Sequence, residues 1–192
     1  MVENAAYDYI EENIEDEKDF ELIGGEKFFM SAAAPNVNHL TIVMRLGSIF
    51  TQYIDKNNIK AIVMADPDVY LSETEHYRPD LVLVRDLETV KNGKKVYGVP
   101  DLVVEVLSIS TMDNDLGPKK SAYEKYGVKE YWIVDQWSKR IEVYHLVDGK
   151  FAFTKSYKFD ADDEDNCKTE IKVSVFDDMI VDVRDVFKWW IA

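Results

Sequence analysis

Glu105 stands in the middle of an otherwise apolar run, Leu102-Val103-Val104-Glu105-Val106-Leu107. Such a run reads as a strongly apolar strand. A carboxylate inside it is costly unless it is paired, hydrogen-bonded or bound to a cation. Period-two alternation puts Asp101, Val103 and Glu105 on one face and Leu102, Val104 and Val106 on the other. At about 3.3 Å per residue, Asp101 and Glu105 lie roughly 13 Å apart. They cannot share one ion.

Asp80 is the better partner. It opens the preceding apolar strand, Leu81-Val82-Leu83-Val84, and a loop holding Asn92-Gly93 lets the two strands pair antiparallel. In a suitable register Asp80 lies beside Glu105. Two carboxylates held close repel each other, so one takes up a proton unless a cation intervenes. A hard, oxygen-rich site of this kind suits Mg2+ or Mn2+, with the backbone carbonyl of Val106 as a further ligand. The same residues admit a plainer reading, with Asp80 a turn residue after Pro79 and Glu105 an edge-strand or interface acid.

The rest of the chain organises around this pair as one domain over residues 18–192, preceded by an acidic arm over 1–17. FELIGGEKFFMSAA reads as a hairpin around Gly24-Gly25. Apolar residues from Val37 to Ile54 recur at helical spacing. Ala61 to Met64 and Val69 to Leu71 read as strands flanking a turn, and the stretch SETEHYRP as a polar connection. A second helix is predicted from Asp115 to Tyr126, with Asp115 as N-cap, Pro118 in the first turn and Gly127 beyond the end. EYWIVD, RIEVYHL, FAFTKSYKF and IKVSVF read as strands, and Val181 to Trp190 as a closing helix with Trp189-Trp190 as an anchor. This order gives a mixed α/β fold around a central sheet rather than a regular βαβ alternation.

Composition narrows the function. No stretch approaches the 18 consecutive apolar residues of a membrane span, and the acidic start lacks the basic and apolar regions of a signal peptide. Cys167 is the single cysteine, so multi-cysteine zinc patterns are excluded and a reducing cytoplasm is the expected location. The three histidines form no ligand spacing, and phosphate-loop, HExxH and GxGxxG motifs are missing. A net charge of -14 opposes binding of a polyanion unless cations or a local basic strip offset it.

The motifs together carry a family resemblance. YRPDLVLVRD, GVPDLVVEVLSIST, DLGPKKSAYEKYGVKEYWIVD and RIEVYHL, extended back through FELIGGEKFFMSAAAPNVNH, resemble the Uma family of "putative restriction endonucleases". That family lies within the PD-(D/E)xK nuclease superfamily. The resemblance covers most of the chain after residue 18, and the segment from Pro100 to Asp135 is its most specific part. It implies a restriction-endonuclease-like core, a mixed central sheet flanked by a long N-terminal helix and a short catalytic-side helix, with additional antiparallel strands.

The resemblance also implies roles. Asp80 and Glu105 match the two metal-binding acids. Leu107 stands where the superfamily carries its lysine, and Lys119 on the following helix corresponds to the migrated position. Lys120 is the fallback, about 100° further around that helix. In the first turn of the helix, Lys119 would join free N–H groups in favouring a phosphate. Glu21 matches the glutamate of the family's opening segment and either contacts the metal site from below or has a structural role. His39 stands where the family tends to carry histidine and could bind phosphate or substrate, a partly exposed histidine near a helix end being the plainer reading. Asp101 positions a second metal or braces its strand. Ser108, Ser110 and Thr111 either bond a phosphate or close a turn.

The implied activity is hydrolysis of a DNA phosphodiester by metal-activated water, in a homodimer because two strand cuts need two sites. Two other functions fit the same residues. One is a non-catalytic binding or assembly module that kept the fold, and the other is hydrolysis of a small phosphate ester.

Overall fold

The structure, a computed structural model, describes residues 20–29, 36–91, 95–160 and 169–188. The acidic arm, residues 30–35, Asn92-Gly93, Cys167 and Trp189-Trp190 lie outside the described residues. The chain runs through the hairpin β1 (Phe20–Ile23) and β2 (Glu26–Phe29), then the long helix α1 (Val37–Lys56). Next come β3 (Ile62–Ala65), β4 (Asp68–Ser72), β5 (Glu75–Tyr77), β6 (Leu81–Val84), β7 (Val90–Lys91), β8 (Lys95–Tyr97) and β9 (Leu102–Val106). A helical segment follows in three parts: α2 (Met112–Asn114), a π-helical turn (Asp115–Lys119) and α3 (Lys120–Tyr126). The chain continues through β10 (Glu130–Asp135), β11 (Arg140–Val147), β12 (Lys150–Lys158), β13 (Glu170–Lys172), β14 (Ile180–Asp182) and α4 (Val183–Phe187).

The central sheet has the order β12-β11-β10-β9-β6-β3. Its one parallel pair, β9 with β10, is joined by the helical segment, as parallel neighbours require a crossover. β6 and β9 pair antiparallel with Leu81 opposite Val104 and Leu83 opposite Leu102. That register sets Asp80 next to Glu105 at the end of the ladder.

Alternation divides the apolar side chains between two cores. Leu81, Leu83, Leu102, Val104, Val106, Trp132 and Val134 face α1 and the C-terminal elements. Val82, Val84, Val103, Tyr131 and Ile133 face α3 and the second sheet. Burying each such side chain contributes about 1.5–3 kcal/mol. Glu105, being in phase with Val103, projects to the second side. α1 presents Ile42, Leu46, Phe50 and Ile54 to the first core, and the ring of Phe50 lies 5.7 Å from that of Trp132. Its start is fixed by Asn36, whose side chain accepts the His39 backbone N–H at 2.9 Å.

The second sheet has the order β2-β1-β5-β4-β8-β7. It corrects two sequence expectations. The polar stretch from Ser72 to Pro79 contains β5, fully buried and paired antiparallel with β4. Polar residues occupy this strand because most of their groups find partners: Glu75 accepts from the Gly24 N–H and the Tyr77 hydroxyl, and Nε2 of His76 bonds Asp68 at 2.9 Å. The connection between β6 and β9 is likewise more than a loop, since β8 pairs parallel with β4.

Three further boundaries differ. The closing helix covers only Val183–Phe187, because Ile180–Asp182 pairs with Glu170–Lys172 as a hairpin. The strand expected over IKVSVF ends at Lys172 for the same reason. The helix before Gly127 begins at Met112, earlier than its expected start at Asp115. Gly127, at φ +93°, ends it as expected.

Candidate active site

Glu105 is 2% exposed, and each of its carboxylate oxygens has a distinct set of neighbours. Oε2 accepts the Asp80 backbone N–H at 3.3 Å. Oε1 accepts the Tyr123 hydroxyl at 2.9 Å and lies 3.4 Å from the Lys119 ammonium. Asp80 is fixed in turn: its Oδ2 accepts the Val106 N–H at 2.6 Å, and its Oδ1 lies 2.9 Å from Nε2 of His39. N–H and C=O of one residue leave an extended strand on the same side. The Val106 carbonyl is therefore directed toward the Asp80 side as well.

Lys119 is 3% exposed and surrounded by carboxylates. Glu21 Oε1 is 2.8 Å from its Nζ, Asp115 Oδ1 is 3.3 Å away, and Glu105 is the third. Glu21 also accepts the Arg78 N–H at 3.0 Å, which ties β1 to the residue two before Asp80. The structure thus brings together Asp80, Glu105, Lys119, Glu21 and His39 from five separate segments. The plainer expectation for His39 is corrected, because its ring is buried and bonded to Asp80.

Two other expected residues stand apart. Asp101 precedes β9 and serves as a brace, with Oδ2 accepting the Arg85 N–H at 2.8 Å and Oδ1 pairing with Lys129 at 2.6 Å. Lys120 points away from the acids, its ammonium 3.4 Å from the centre of the Tyr144 ring. The expected phosphate cradle at the start of the helix is also corrected. Met112 to Asn114 precede the π turn, so Lys119 is not in the first turn, where free N–H groups gather. Ser108, Ser110 and Thr111 bond one another at 2.9–3.2 Å and close the turn into the helix.

Asp115 and Tyr123 complete the cluster and were not singled out as site residues by sequence reasoning. Asp115 is 1% exposed and accepts the Thr111 hydroxyl at 2.8 Å. The signal was the spacing: Asp115, Lys119 and Tyr123 are four apart, hence on one helix face. Asp115 looked like an N-cap because aspartate is a common capping residue.

The electrostatics follow from three acids around one ammonium, with Asp80 next to Glu105. Burial pushes the Glu105 carboxyl well above the usual range; Lys119 opposes this, and the charges of Asp115, Asp80 and Glu21 add to it. Burial also raises Asp115, against the pull of Lys119 and the Thr111 hydrogen bond. Burial disfavours the charged Lys119, but Glu105, Glu21 and Asp115 outweigh it and hold the ammonium protonated well above its ordinary range. For His39, burial is outweighed by the hydrogen bond and charge of Asp80, and its pKa is raised.

This donor set fits a divalent metal ion. Burial first, and then the charges of Asp115, Asp80 and Glu21, push Glu105 upward, and a cation beside Asp80 would favour the ionised carboxylate against both. Among the described residues no three His, Cys, Asp or Glu side chains gather to hold a metal. Magnesium usually takes one or two carboxylates and fills its octahedron with water and substrate phosphate. Two acids and a strand-end carbonyl match that habit.

Comparison with known proteins gives the family and the fold. An uncharacterized protein of Synechocystis is 30% identical over 130 residues, covering 67% of this chain, and the match spans 66% of that relative's length. A solved structure described as a "putative nuclease belonging to DUF820" from Anabaena variabilis superposes with a TM-score of 0.70 at 18% identity, covering 95% of this chain and 97% of the other. That likeness shows a shared fold. Residues 5–165 match the Uma2 family, described as "Putative restriction endonuclease", and the chain belongs to that family.

Proposed function

We propose that this protein is a metal-dependent nuclease that hydrolyses DNA phosphodiesters, with Asp80, Glu105 and Lys119 at its centre. The observation that carries the reading is the convergence of Asp80 and Glu105 from adjacent antiparallel strands, with Lys119 arriving from the following helix. Asp80, Oε2 of Glu105 and the Val106 carbonyl would hold Mg2+ or Mn2+. A bound divalent ion lowers the pKa of its water and screens the phosphate oxygens.

The chain's own residues prepare that chemistry. His39 and the Val106 N–H fix the Asp80 carboxylate in one orientation. Tyr123 and Lys119 both engage Oε1 of Glu105, which leaves Oε2 turned to Asp80. Lys119 keeps its proton, so it serves as a fixed positive charge beside the reacting centre and not as a base. Asp101 and Lys120 take no part. The net charge of -14 makes DNA approach dependent on cations, which accords with a metal-requiring reaction. A homodimer would supply the second site that two strand cuts need.

The test is nicking of supercoiled plasmid in Mg2+ or Mn2+ against a chelator control. Wild type should nick, and Asp80→Ala and Glu105→Ala should not. Equal cutting by both variants removes the site assignment. Cleavage of a small phosphodiester with plasmid untouched assigns the small-ester reaction instead. The enclosure of Lys119 by three acids also suits a non-catalytic module, and absence of Mn2+ binding at millimolar concentration would select that reading.

A further inference from the structure

The helical segment that carries Lys119 is irregular, and the irregularity is anchored. Its middle turn, Asp115–Lys119, is π-helical and contains Pro118. Proline lacks the N–H of a regular helix bond, and single π turns in α-helices recur at functional sites. The Asp115 carbonyl in this turn accepts the Tyr131 hydroxyl from β10 at 2.9 Å. Tyr131 is fully buried, its ring 5.7 Å from that of Phe151, so the donor cannot swing away. The Asp115 side chain is held at one oxygen by Thr111 and faces the Lys119 ammonium with the other. That second oxygen is buried and has no hydrogen-bond partner of acceptable angle.

The turn has a geometric consequence. Along a regular α-helix, residues four apart drift by about 40° around the axis. A wider turn between Asp115 and Lys119 offsets that drift. Asp115, Lys119 and Tyr123 then meet the same wall of the site, where Lys119 and Tyr123 share one oxygen of Glu105.

We propose that Asp115 and Tyr131 are positioning residues, which lock the π-helical turn so that the Lys119 ammonium stays against Oε1 of Glu105. The inference deepens the nuclease reading and rests on it for its functional meaning, but the positioning itself is a property of the chain without metal. Neither residue touches the reacting atoms. Asp115 acts through Lys119, and Tyr131 through the Asp115 backbone.

The experiment uses the full chain, labelled with 15N, and reads the side-chain ammonium resonance of Lys119 in a proton–nitrogen correlation spectrum. Lys119→Arg assigns the peak by its loss. An ammonium enclosed by three carboxylates exchanges slowly with water, so wild type should show it. Tyr131→Phe keeps the ring and the charge and removes only the hydroxyl. It should shift or broaden the Lys119 peak while backbone amides remote from residues 108–131 stay in place. Asp115→Asn should do so more strongly. Calorimetry with Mn2+ should show affinity lowered about 10-fold in Tyr131→Phe, as for outer residues that orient metal ligands.

A missing wild-type peak overturns the proposal, as does a peak unmoved in folded Tyr131→Phe. If Asp115→Asn does not fold, Tyr131→Phe decides alone. Wild type that shows the peak and its response but binds no Mn2+ supports the positioning and rejects the nuclease reading. The two failures are thereby separate.

Discussion

The backbone N–H of Asp80 donates to Oε2 of Glu105 at 3.3 Å, across the end of the ladder between β6 and β9. The residue after Glu105 returns the contact, since the Val106 N–H donates to Oδ2 of Asp80 at 2.6 Å. Each acid is thus held by the other's strand; Glu105 reaches Lys119 and Tyr123 on the following helix, and Asp80 reaches His39 on α1. The pair is a rigid unit before any cation arrives.

That reciprocity predicts different costs for two Asp80 substitutions. Asp80→Ala removes the acceptor of the Val106 N–H and the partner of His39, and should destabilise the chain by about 1–3 kcal/mol. Asp80→Asn keeps an oxygen for Val106 and should cost less. Both should lose Mn2+ binding. Urea unfolding with parallel calorimetry checks this, and an equal loss of stability in both variants would contradict the assigned hydrogen bonds.

The pH dependence follows from the directions of the shifts. Glu105 and Asp115 have raised carboxyl pKa values in the folded chain, with burial as the main cause. Their contribution to stability is full below the ordinary carboxyl range and is lost as pH rises through the folded values. Lys119 is raised as well, and its contribution persists to alkaline pH before it is lost. Metal-free protein should therefore lose stability above the acidic range, and added Mn2+ should restore more of it at higher pH. Glu105→Gln should flatten the metal-free profile over that window. Thermal unfolding at stepped pH, with and without Mn2+, is the measurement. A wild-type profile that Glu105→Gln leaves unchanged would show that this carboxyl does not titrate as described.

The sequence made the Asp80 and Glu105 pair legible because two rules act together. Alternation fixes the face of each acid, and antiparallel pairing of the two apolar runs brings their ends together. Lys119 and Glu21 were reachable only through resemblance, since nothing local distinguishes a buried lysine from a solvated one. The true start of the helix was hidden. Asp115 and Pro118 mimic the opening of a helix, whereas the start is set by backbone and hydroxyl bonds from Ser108 and Thr111. β5 was hidden for a related reason. Its sequence is polar, and burial of Glu75 and His76 becomes feasible only through partners in the turn after β1 and on β4.

The buried ammonium predicts an asymmetric response to substitution. Lys119→Met leaves Glu21, Glu105 and Asp115 facing one another without their cation, and breaking buried pairing of this kind costs about 3–5 kcal/mol. Adding Glu21→Gln removes one of the uncompensated charges, so the double variant should recover part of that loss. A double-mutant cycle in urea measures the coupling. Additive losses would mean that Glu21 and Lys119 do not act on each other, despite their 2.8 Å separation.

Asp101 and Lys120 provide the converse prediction, because both belong to the motif region and neither joins the cluster. Asp101 pairs with Lys129, which is 64% exposed, and such pairs are worth about 0–1 kcal/mol. Its other oxygen accepts the Arg85 N–H, a bond that asparagine can still accept. Asp101→Asn should therefore cost less than about 1 kcal/mol. Lys120→Gln gives up a cation over the Tyr144 ring, worth about 0.5–1 kcal/mol at a partly open site. Metal binding and plasmid nicking should stay within twofold of wild type in both variants, on the order of the small effects expected away from the acids. If Asp101→Asn suppressed nicking as strongly as Asp80→Asn, position along the strand would no longer distinguish the acids, and the site would have to extend from Glu105 to the opposite end of β9.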